Sequence, residues 1–369
     1  MLSPDMFASP PRRVLIVSLR YLGDLLISTL MADGVKQRWP NCKVDYLVFD
    51  GMQGVLAGNG CVDHIITLPP KARPKVRLAL LRSLWRQYDL ALTSHSGDYP
   101  HLVLWAASRQ RIGALPQIRK HAWWKRLSAP LSIAEQLHQP IAGLCARIVG
   151  QSGVNTPVRI RPPQASQPWP PQAALMAAGQ AYAVLNPCPR WAYKRWHQSG
   201  WLALVAHLQL RGLKVVICGG HSQDEKDYLA WLFEGVAGLT YTDPTVDFAQ
   251  SATLIAGASL FVGPDTFTTH LAASCGVPTV ALFGPTDPQV WGPISQVDAG
   301  DASRTQPFVA VADVQQRANV WLLQNASLPC VPCQLEGCDR HRQSRSQCLD
   351  EMSAEKVLAV VDAVLNRIA

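Results

Sequence analysis

The chain has 369 residues, 48% of them hydrophobic, which is enough for two ordinary domain cores. No apolar run approaches the roughly 18 residues that a membrane span requires. The N-terminal residues also lack the apolar core of a secretory signal. We therefore expect a globular, cytoplasmic protein whose ten cysteines are buried thiols or metal ligands rather than structural disulfides.

Positive charge is concentrated in the first half of the chain. The first 150 residues contain 19 Lys and Arg against 9 Asp and Glu, and twelve of the basic residues lie within residues 71–126. Trp123 and Trp124 fall inside this cluster, and basic residues mixed with Trp suit the headgroup level of a membrane or a phosphorylated lipid. A solvated basic face is the alternative. Nucleic acid is not expected as a partner, because no nucleic-acid-binding signature accompanies the charge.

The apolar pattern predicts strands that alternate with helices. In the first half it predicts strands at residues 14–18, 44–49, 65–68 and 90–93, with helices at 25–39 and 76–88. Apolar runs of this length suit a parallel sheet that is covered on both faces. Six prolines between residues 157 and 171 indicate a linker.

Beyond this linker the same pattern restarts. Strands are predicted at residues 182–185, 214–218, 260–262 and 278–283, and helices at 200–211, 223–233, 248–256 and 354–368. We therefore expect two α/β domains, residues 1–165 and 172–350. A C-terminal helix within residues 351–369 is expected to return toward the first domain.

Residues 263–288 place a turn, a helix, a strand and a second turn in succession. Thr266 is positioned to begin the helix, whose unpaired backbone N–H groups and positive dipole end attract an anion. His270 falls in the first turn of this helix. Because ligands bind at the ends of strands in α/β sheets, the segment predicts a phosphate site. A capped helix that binds nothing fits the turn signals as well.

Two further polar features follow predicted strands. Asp24 comes shortly after the first strand, where a carboxylate can act as a general base toward an attacking hydroxyl or as a helix N-cap. The loop after the strand at 182–185 carries Arg190, Lys194 and Arg195. Cations on such a loop can neutralise a leaving phosphate, and ordinary surface charge is the alternative.

Together these features resemble the lipopolysaccharide core heptosyltransferases of glycosyltransferase family 9. The resemblance covers nearly the whole chain and rests on Leu22-Gly23-Asp24, Lys194 with Trp196, Asp265-Thr266 with His270, Leu271-Ala272-Ala273, Gly276-Val277-Pro278 and Leu282-Phe283-Gly284-Pro285-Thr286. It implies the α/β arrangement called GT-B, in which two Rossmann-like domains face each other across a cleft. The first domain would bind mainly the acceptor and the second mainly the sugar nucleotide.

The resemblance also implies roles for individual residues. Asp24 matches the catalytic base of an inverting transfer from ADP-heptose to a phosphorylated inner-core sugar, at the inner face of the cytoplasmic membrane and without a catalytic metal. The implied donor-binding residues are Lys194, Asp265, Thr266, Phe267 and His270. The basic residues expected to bind the acceptor are Arg109, Arg111, Arg119 and Lys120. Phe267 departs from many relatives, which have Gly at that position.

The C-terminal part contains four cysteines within 19 residues, namely Cys330, Cys333, Cys338 and Cys348. Such spacing can close a tetrahedral zinc or iron site, and similar clusters in some protein-modifying heptosyltransferases bind iron. Reduced cysteines that bind nothing are the alternative. Three other functions remain open from the sequence: a heptosyltransferase with a protein acceptor, a sugar-nucleotide epimerase and a non-catalytic relative.

Overall fold

The computed structural model describes residues 9–116, 123–129, 131–154, 158–295 and 308–368. These residues divide into two α/β units, one up to Pro163 and one from Gln164 onward. Each unit is built on one sheet whose strands run mostly parallel. In the part of the chain so described, no helix is long and apolar enough to span a membrane.

The first unit contains a sheet with the strand order β3-β2-β1-β4-β5-β6, in which every neighbouring pair is parallel. The strands are β1 (Arg13–Ser18), β2 (Lys43–Phe49), β3 (His64–Leu68), β4 (Leu90–Thr93), β5 (Gln110–Leu115) and β6 (Ile133–Ala134). The helices are α1 (Leu22–Arg38), α2 (Pro74–Ser83), α3 (Asp98–Ala107), α4 (Trp123–Ser128) and α5 (Ile141–Gln151). The continuous apolar runs of β1 and β4 are buried on both faces, as a parallel sheet between helical layers requires.

The helices of the first unit pack in two groups. Helix α1 packs against α5, whereas α3 packs against both α2 and α4. Leu15 and Val17 of β1 lie in one core cluster with Leu84 and Leu104. The hydroxyl of Thr93 donates a hydrogen bond of 2.8 Å to the carbonyl oxygen of Val17. Strands β1 and β4 therefore end side by side, and so do the segments that follow them.

The second unit contains a sheet with the strand order β12-β13-β11-β10-β7-β8-β9. All pairs are parallel except the β12 and β13 hairpin. Its strands are β7 (Tyr182–Leu185), β8 (Lys214–Ile217), β9 (Leu239–Tyr241), β10 (Leu260–Pro264), β11 (Thr279–Leu282), β12 (Val314–Arg317) and β13 (Val320–Leu323). Its helices are α6 (Pro170–Ala177), α7 (Gln198–Leu210), α8 (Gln223–Leu232), α9 (Phe248–Ala256), α10 (Phe267–Ser274), α11 (Pro288–Trp291), α12 (Gln347–Asp350) and α13 (Ala354–Ile368).

The C-terminal helix α13 packs against α7 of the second unit. Val357, Val361 and Val364 point into the core of this unit. His207 of α7 lies 2.8 Å from the carboxylate of Asp362, measured from Nε2 to Oδ1. These contacts anchor the helix to the second unit, and its return toward the first domain stays a prediction.

Two buried indole rings pack together at the start of α7. Trp196 and Trp201 meet edge to face with their ring centroids 5.3 Å apart, and Nε1 of Trp196 donates to the carbonyl oxygen of Met352 at 2.8 Å. A Cβ added at Gly200 would lie 2.3 Å from the Trp196 ring. The close approach of helix and ring therefore requires glycine at this position.

Gly200→Ala should destabilise the second unit, because the buried ring or the helix start has to move. We expect a loss of about 1–3 kcal/mol in the free energy of unfolding, measured in urea. Gly150→Ala is the control. This glycine lies in α5, and apart from its two chain neighbours and its own helix backbone no atom lies within 4 Å of the added Cβ. Alanine also favours helix by about 0.5–1 kcal/mol. If Gly200→Ala is as stable as the wild type, the packing described here is wrong.

Candidate active site

Two loops meet at the carboxyl edge of the second sheet because β7 and β10 are parallel neighbours. Leu185 pairs with Val262, so the chain after each strand emerges at the same edge. Lys194 ends a short 3-10 turn in the first loop, and Asp265 directly follows β10. The Lys194 ammonium pairs with the Asp265 carboxylate and donates to its backbone carbonyl oxygen at 3.3 Å. The structure thus brings together two of the predicted donor-binding residues.

The ion pair is largely withdrawn from water. The side chains of Lys194 and Asp265 are 15% and 8% exposed, and His270 Nε2 lies 3.8 Å from Oδ1 of Asp265. Burial alone would raise the pKa of Asp265, but the charge and hydrogen bond of Lys194, together with the nearby His270, outweigh it and hold this pKa far below its ordinary value of 3.8. Asp265 is therefore an anion at neutral pH and fixes the position of the ammonium group.

Helix α10 begins beside this ion pair. Thr266 occupies the N-cap position with extended backbone, but its side chain makes no capping hydrogen bond. Its hydroxyl lies 3.3 Å from that of Thr269, which in turn donates to the carbonyl oxygen of Pro264. The first-turn N–H groups of α10 are therefore without a side-chain cap, as in helix starts that receive an anion.

Phe267 is the first residue of α10 and is half-buried. Its ring meets Phe248 of α9 edge to face, with the ring centroids 5.4 Å apart and the planes at 80°. Such aromatic pairs add stability beyond the area that they bury. The side chain is therefore tied to the neighbouring helix, and its contact with a donor stays a prediction.

Residues 330–352 brace the loop that carries Lys194. The hydroxyl of Ser346 donates to the carbonyl oxygen of Tyr193 at 2.6 Å, and the backbone N–H of Ala192 donates to the carbonyl oxygen of Arg342 at 3.0 Å. Both bonds hold the turn immediately before Lys194. This part of the chain contributes to the site by hydrogen bonding.

The four cysteines of this segment are not arranged as a metal site in the residues that the structure describes. Cys348 is buried, Cys333 is half-buried, Cys330 and Cys338 are exposed, and all ten cysteines of the chain are free thiols. Burial, followed by the nearby thiols of the other three, raises the pKa of Cys348 to about 12. Within the described ranges, no group of three or more His, Cys, Asp or Glu residues is positioned to hold a metal ion. The predicted structural zinc or iron site is therefore not supported. The four thiols lie near one another, but they do not converge as ligands of one ion.

In the first unit, Asp24 lies in the first turn of α1. Tyr21 occupies the N-cap position of that helix, so the interpretation of Asp24 as the N-cap is wrong. The carboxylate is buried, and its Oδ1 lies 3.4 Å from Nη1 of Arg20. The N-terminal end of the helix stabilises a negative charge in its first turn.

Two buried polar groups that the sequence analysis missed occur at the same edge of the first sheet. Ser18 ends β1 and His95 lies two residues beyond β4; in the described part of the chain, neither Ser18 Oγ nor His95 Nε2 has a hydrogen-bond partner. Burial, together with the charge of Arg20, lowers the pKa of His95 to about 3, so the imidazole is neutral at pH 7. Buried polar groups without partners are rare in native structures. The available signal was the polar run Ser94-His95-Ser96 directly after a buried strand.

The predicted acceptor-binding arginines lie elsewhere. Arg109 precedes β5, and Arg111 is the second residue of that strand. Arg111 pairs with Ala91 of β4. Ala91 in turn pairs with Leu15, near the start of β1. They therefore lie at the amino edge of the sheet, whereas Asp24 follows its carboxyl edge. Charges that cluster in sequence were taken as one site, but the direction of β5 separates them from Asp24. Arg119 and Lys120 lie outside the described residues.

Known proteins that resemble this chain include members of a glycosyltransferase family. The profile of glycosyltransferase family 9 (heptosyltransferase) matches residues 77–312. Lipopolysaccharide heptosyltransferase 3 of Escherichia coli is 27% identical over 307 residues, which cover 77% of this chain and 88% of that protein. Lipopolysaccharide heptosyltransferase 1 of Pseudomonas aeruginosa is 24% identical over 379 residues, which cover 97% and 96%.

The solved structure of E. coli ADP-heptose LPS heptosyltransferase II is also similar. It superposes with a TM-score of 0.70 at 17% sequence identity, over 96% of this chain and 99% of that one. At this identity the likeness shows the fold alone. The predicted α/β class with two Rossmann-like domains of the GT-B type is confirmed.

The ion pair of Asp265 should make the stability of the second unit sensitive to acid. Because the pKa of Asp265 is lowered by folding, its stabilisation is present above the unfolded pKa of about 4 and is lost as the pH falls through the folded pKa. Asp265→Asn should therefore be less stable than the wild type at pH 7, and the difference in urea midpoint should shrink below about pH 4. The exposed Asp224→Asn is the control and should follow the wild type throughout. A difference between Asp265→Asn and wild type that stays constant down to about pH 2 would contradict the lowered pKa.

Proposed function

The chain belongs to glycosyltransferase family 9, the heptosyltransferases, and we propose that it transfers a heptose from ADP-heptose to an inner-core sugar of lipopolysaccharide. The proposal rests foremost on the buried pair of Lys194 and Asp265 beside the uncapped start of α10. It is supported by relatives that are named lipopolysaccharide heptosyltransferases and by a similar structure that is named for ADP-heptose.

The donor diphosphate is proposed to bind at the carboxyl edge of the second sheet. The Lys194 ammonium and the first N–H groups of α10 meet there, and both attract phosphate oxygens. As the bond between the heptose and ADP breaks, negative charge grows on the departing phosphate, and these groups stabilise it. Asp265 orients Lys194, and His270 lies beside this pair. Protein groups supply the charge stabilisation, so the proposal includes no catalytic metal.

Asp24 is proposed as the general base. It would take the proton from an acceptor hydroxyl while the hydroxyl oxygen bonds to the anomeric carbon and the bond from that carbon to ADP breaks. Attack from the face opposite ADP inverts the anomeric configuration. The support within the first unit is a buried carboxylate at the carboxyl edge of the sheet, with Arg20 restraining one of its oxygens.

The unpaired imidazole of His95, at the same sheet edge as Asp24, is proposed to bind the acceptor sugar. A sugar hydroxyl both donates and accepts hydrogen bonds, and the neutral imidazole of His95 has one nitrogen that donates and one that accepts. A hydroxyl that bonds to His95 Nε2 would satisfy an atom that has no partner among the described residues, and the gain would be larger because the atom is buried. Arg109 and Arg111 lie at the opposite edge of the sheet, and their contact with the acceptor stays a prediction.

Asp24→Asn should abolish most of the transfer while leaving the shape of the site intact. We expect kcat to fall by about 10²–10⁴-fold with little change in KM, because the amide cannot accept the proton. Transfer from ADP-heptose to truncated core acceptors is followed by ADP release and by the mass of the product. Asp50→Asn is the control, since Asp50 is an exposed carboxylate directly after β2, the other neighbour of β1.

Two results would contradict this account at different levels. Full activity of Asp24→Asn would remove the assignment of the base but leave the reaction. Failure of the wild type to transfer heptose to any truncated core acceptor, although it is folded, would overturn the proposed function. A product with retained anomeric configuration would exclude direct displacement.

A further inference from the structure

Helices α2, α3 and α4 of the first unit expose large apolar side chains on their outer sides. Helix α2 has no fully buried residue, because Leu80 and Leu81 only partly contact the core beneath. We define the outer face by the exposed apolar residues of these helices and the turn after α2. Their exposure ranges from 41% to 74%, and they are Val76, Leu78, Trp85, Leu102, Trp105, Trp123 and Leu127.

The aromatic centre of the outer face is a pair of exposed indoles. Trp85 follows α2 and Trp105 belongs to α3; their ring centroids are 5.1 Å apart with the planes at 69°. The guanidinium of Arg86 lies over the Trp85 ring, 5.1 Å from its centroid. The two helices therefore present one connected aromatic surface with a cation on it.

The outer face is surrounded by positive charge. The exposed cations on or directly beside the three helices are Arg73, Lys75, Arg82, Arg86, Arg109 and Arg126. None of them has an ion-pair partner in the described part of the chain. The charge of Arg86 even reaches Arg111, whose pKa is lowered by burial and then by Arg86. This face is a concentrated source of positive potential.

The two acidic residues of the region do not neutralise these cations. Asp98 pairs with Lys125 at 2.8 Å. Asp89 accepts the backbone N–H groups of Arg12 and Arg13 at 2.7 and 3.0 Å. Both carboxylates are thus engaged at other positions, and the positive charge of the outer face is left uncompensated.

We propose that the outer face docks on an anionic lipid surface. This inference rests on the proposed function, in which the acceptor is a lipid-linked sugar. Indole rings and leucines at the headgroup level, with Lys and Arg around them, are the composition that binds such a surface. A second copy of the chain fits less well, because a twofold contact would place the same cations against one another.

The experiment is flotation of the full chain with lipid vesicles. Vesicles of phosphatidylglycerol and phosphatidylethanolamine should carry the protein, whereas phosphatidylcholine vesicles should not. Binding should weaken as salt is raised, because exposed charges are screened. Trp85→Ala with Trp105→Ala, and separately Arg82→Glu with Arg86→Glu, should each lower the affinity for anionic vesicles by about tenfold or more.

The matched control is Trp231→Ala with Lys214→Glu, an exposed indole and an exposed cation of the second unit, which should bind like the wild type. Circular dichroism and transfer to a short water-soluble acceptor verify that each variant is folded. Wild type that ignores anionic vesicles, or outer-face variants that bind them normally, would overturn the proposal. Outer-face variants that bind vesicles normally but convert an oligomer into a monomer would also overturn the proposal, and they would assign the face to contact with a second copy.

Vesicle binding and transfer are measured separately, so the two proposals fail separately. A protein that transfers heptose to the soluble acceptor but ignores vesicles keeps the proposed function and loses the docking face. A protein that binds anionic vesicles through this face but transfers no heptose loses the proposed function, and the docking result stands.

Discussion

The buried ion pair between Lys194 and Asp265 is the interaction on which the candidate donor site depends. It exists because β7 and β10 are parallel neighbours, so that two loops far apart in sequence leave the sheet together. Removing one partner would leave an unpaired buried charge, which costs about 3–5 kcal/mol in other proteins. The bonds from Ser346 and Arg342 hold the turn before Lys194. Residues 330–352 thus help to position the ammonium group of Lys194.

In the first unit, two parallel neighbouring strands again bring polar groups to one edge of the sheet, but the groups differ. β1 and β4 are neighbours, and the segments after them contain Asp24 and His95. No ion pair satisfies His95, whose buried Nε2 lacks a partner among the described residues. One edge is therefore organised around a satisfied charge pair suited to phosphate, and the other around groups suited to hydroxyls. This difference is what the proposed division between donor and acceptor requires.

The strands and the polar loops that bring Lys194 and Asp265 to one sheet edge could be predicted because buried apolar runs followed by polar residues are local patterns. What failed depended on information that such patterns lack. The helix predicted at residues 76–88 ends at Ser83, since Arg86 adopts φ of 54° in the turn that follows. Arg109 and Arg111 were chosen by charge density, which does not reveal on which edge of the sheet a residue lies, and their contact with an acceptor stays a prediction. His95 was missed because its neighbours come from another strand, and the cysteine spacing did not reveal whether the thiols converge.

The central claim is that Lys194 holds the donor diphosphate, and calorimetric titration with ADP tests it most directly. Asp265→Asn keeps the ammonium, whereas Lys194→Met with Asp265→Asn removes it without leaving a buried carboxylate behind. We expect the double variant to bind ADP about 10–100-fold more weakly than Asp265→Asn, the loss of one charge-assisted hydrogen bond. Equal dissociation constants for the two variants would contradict the account.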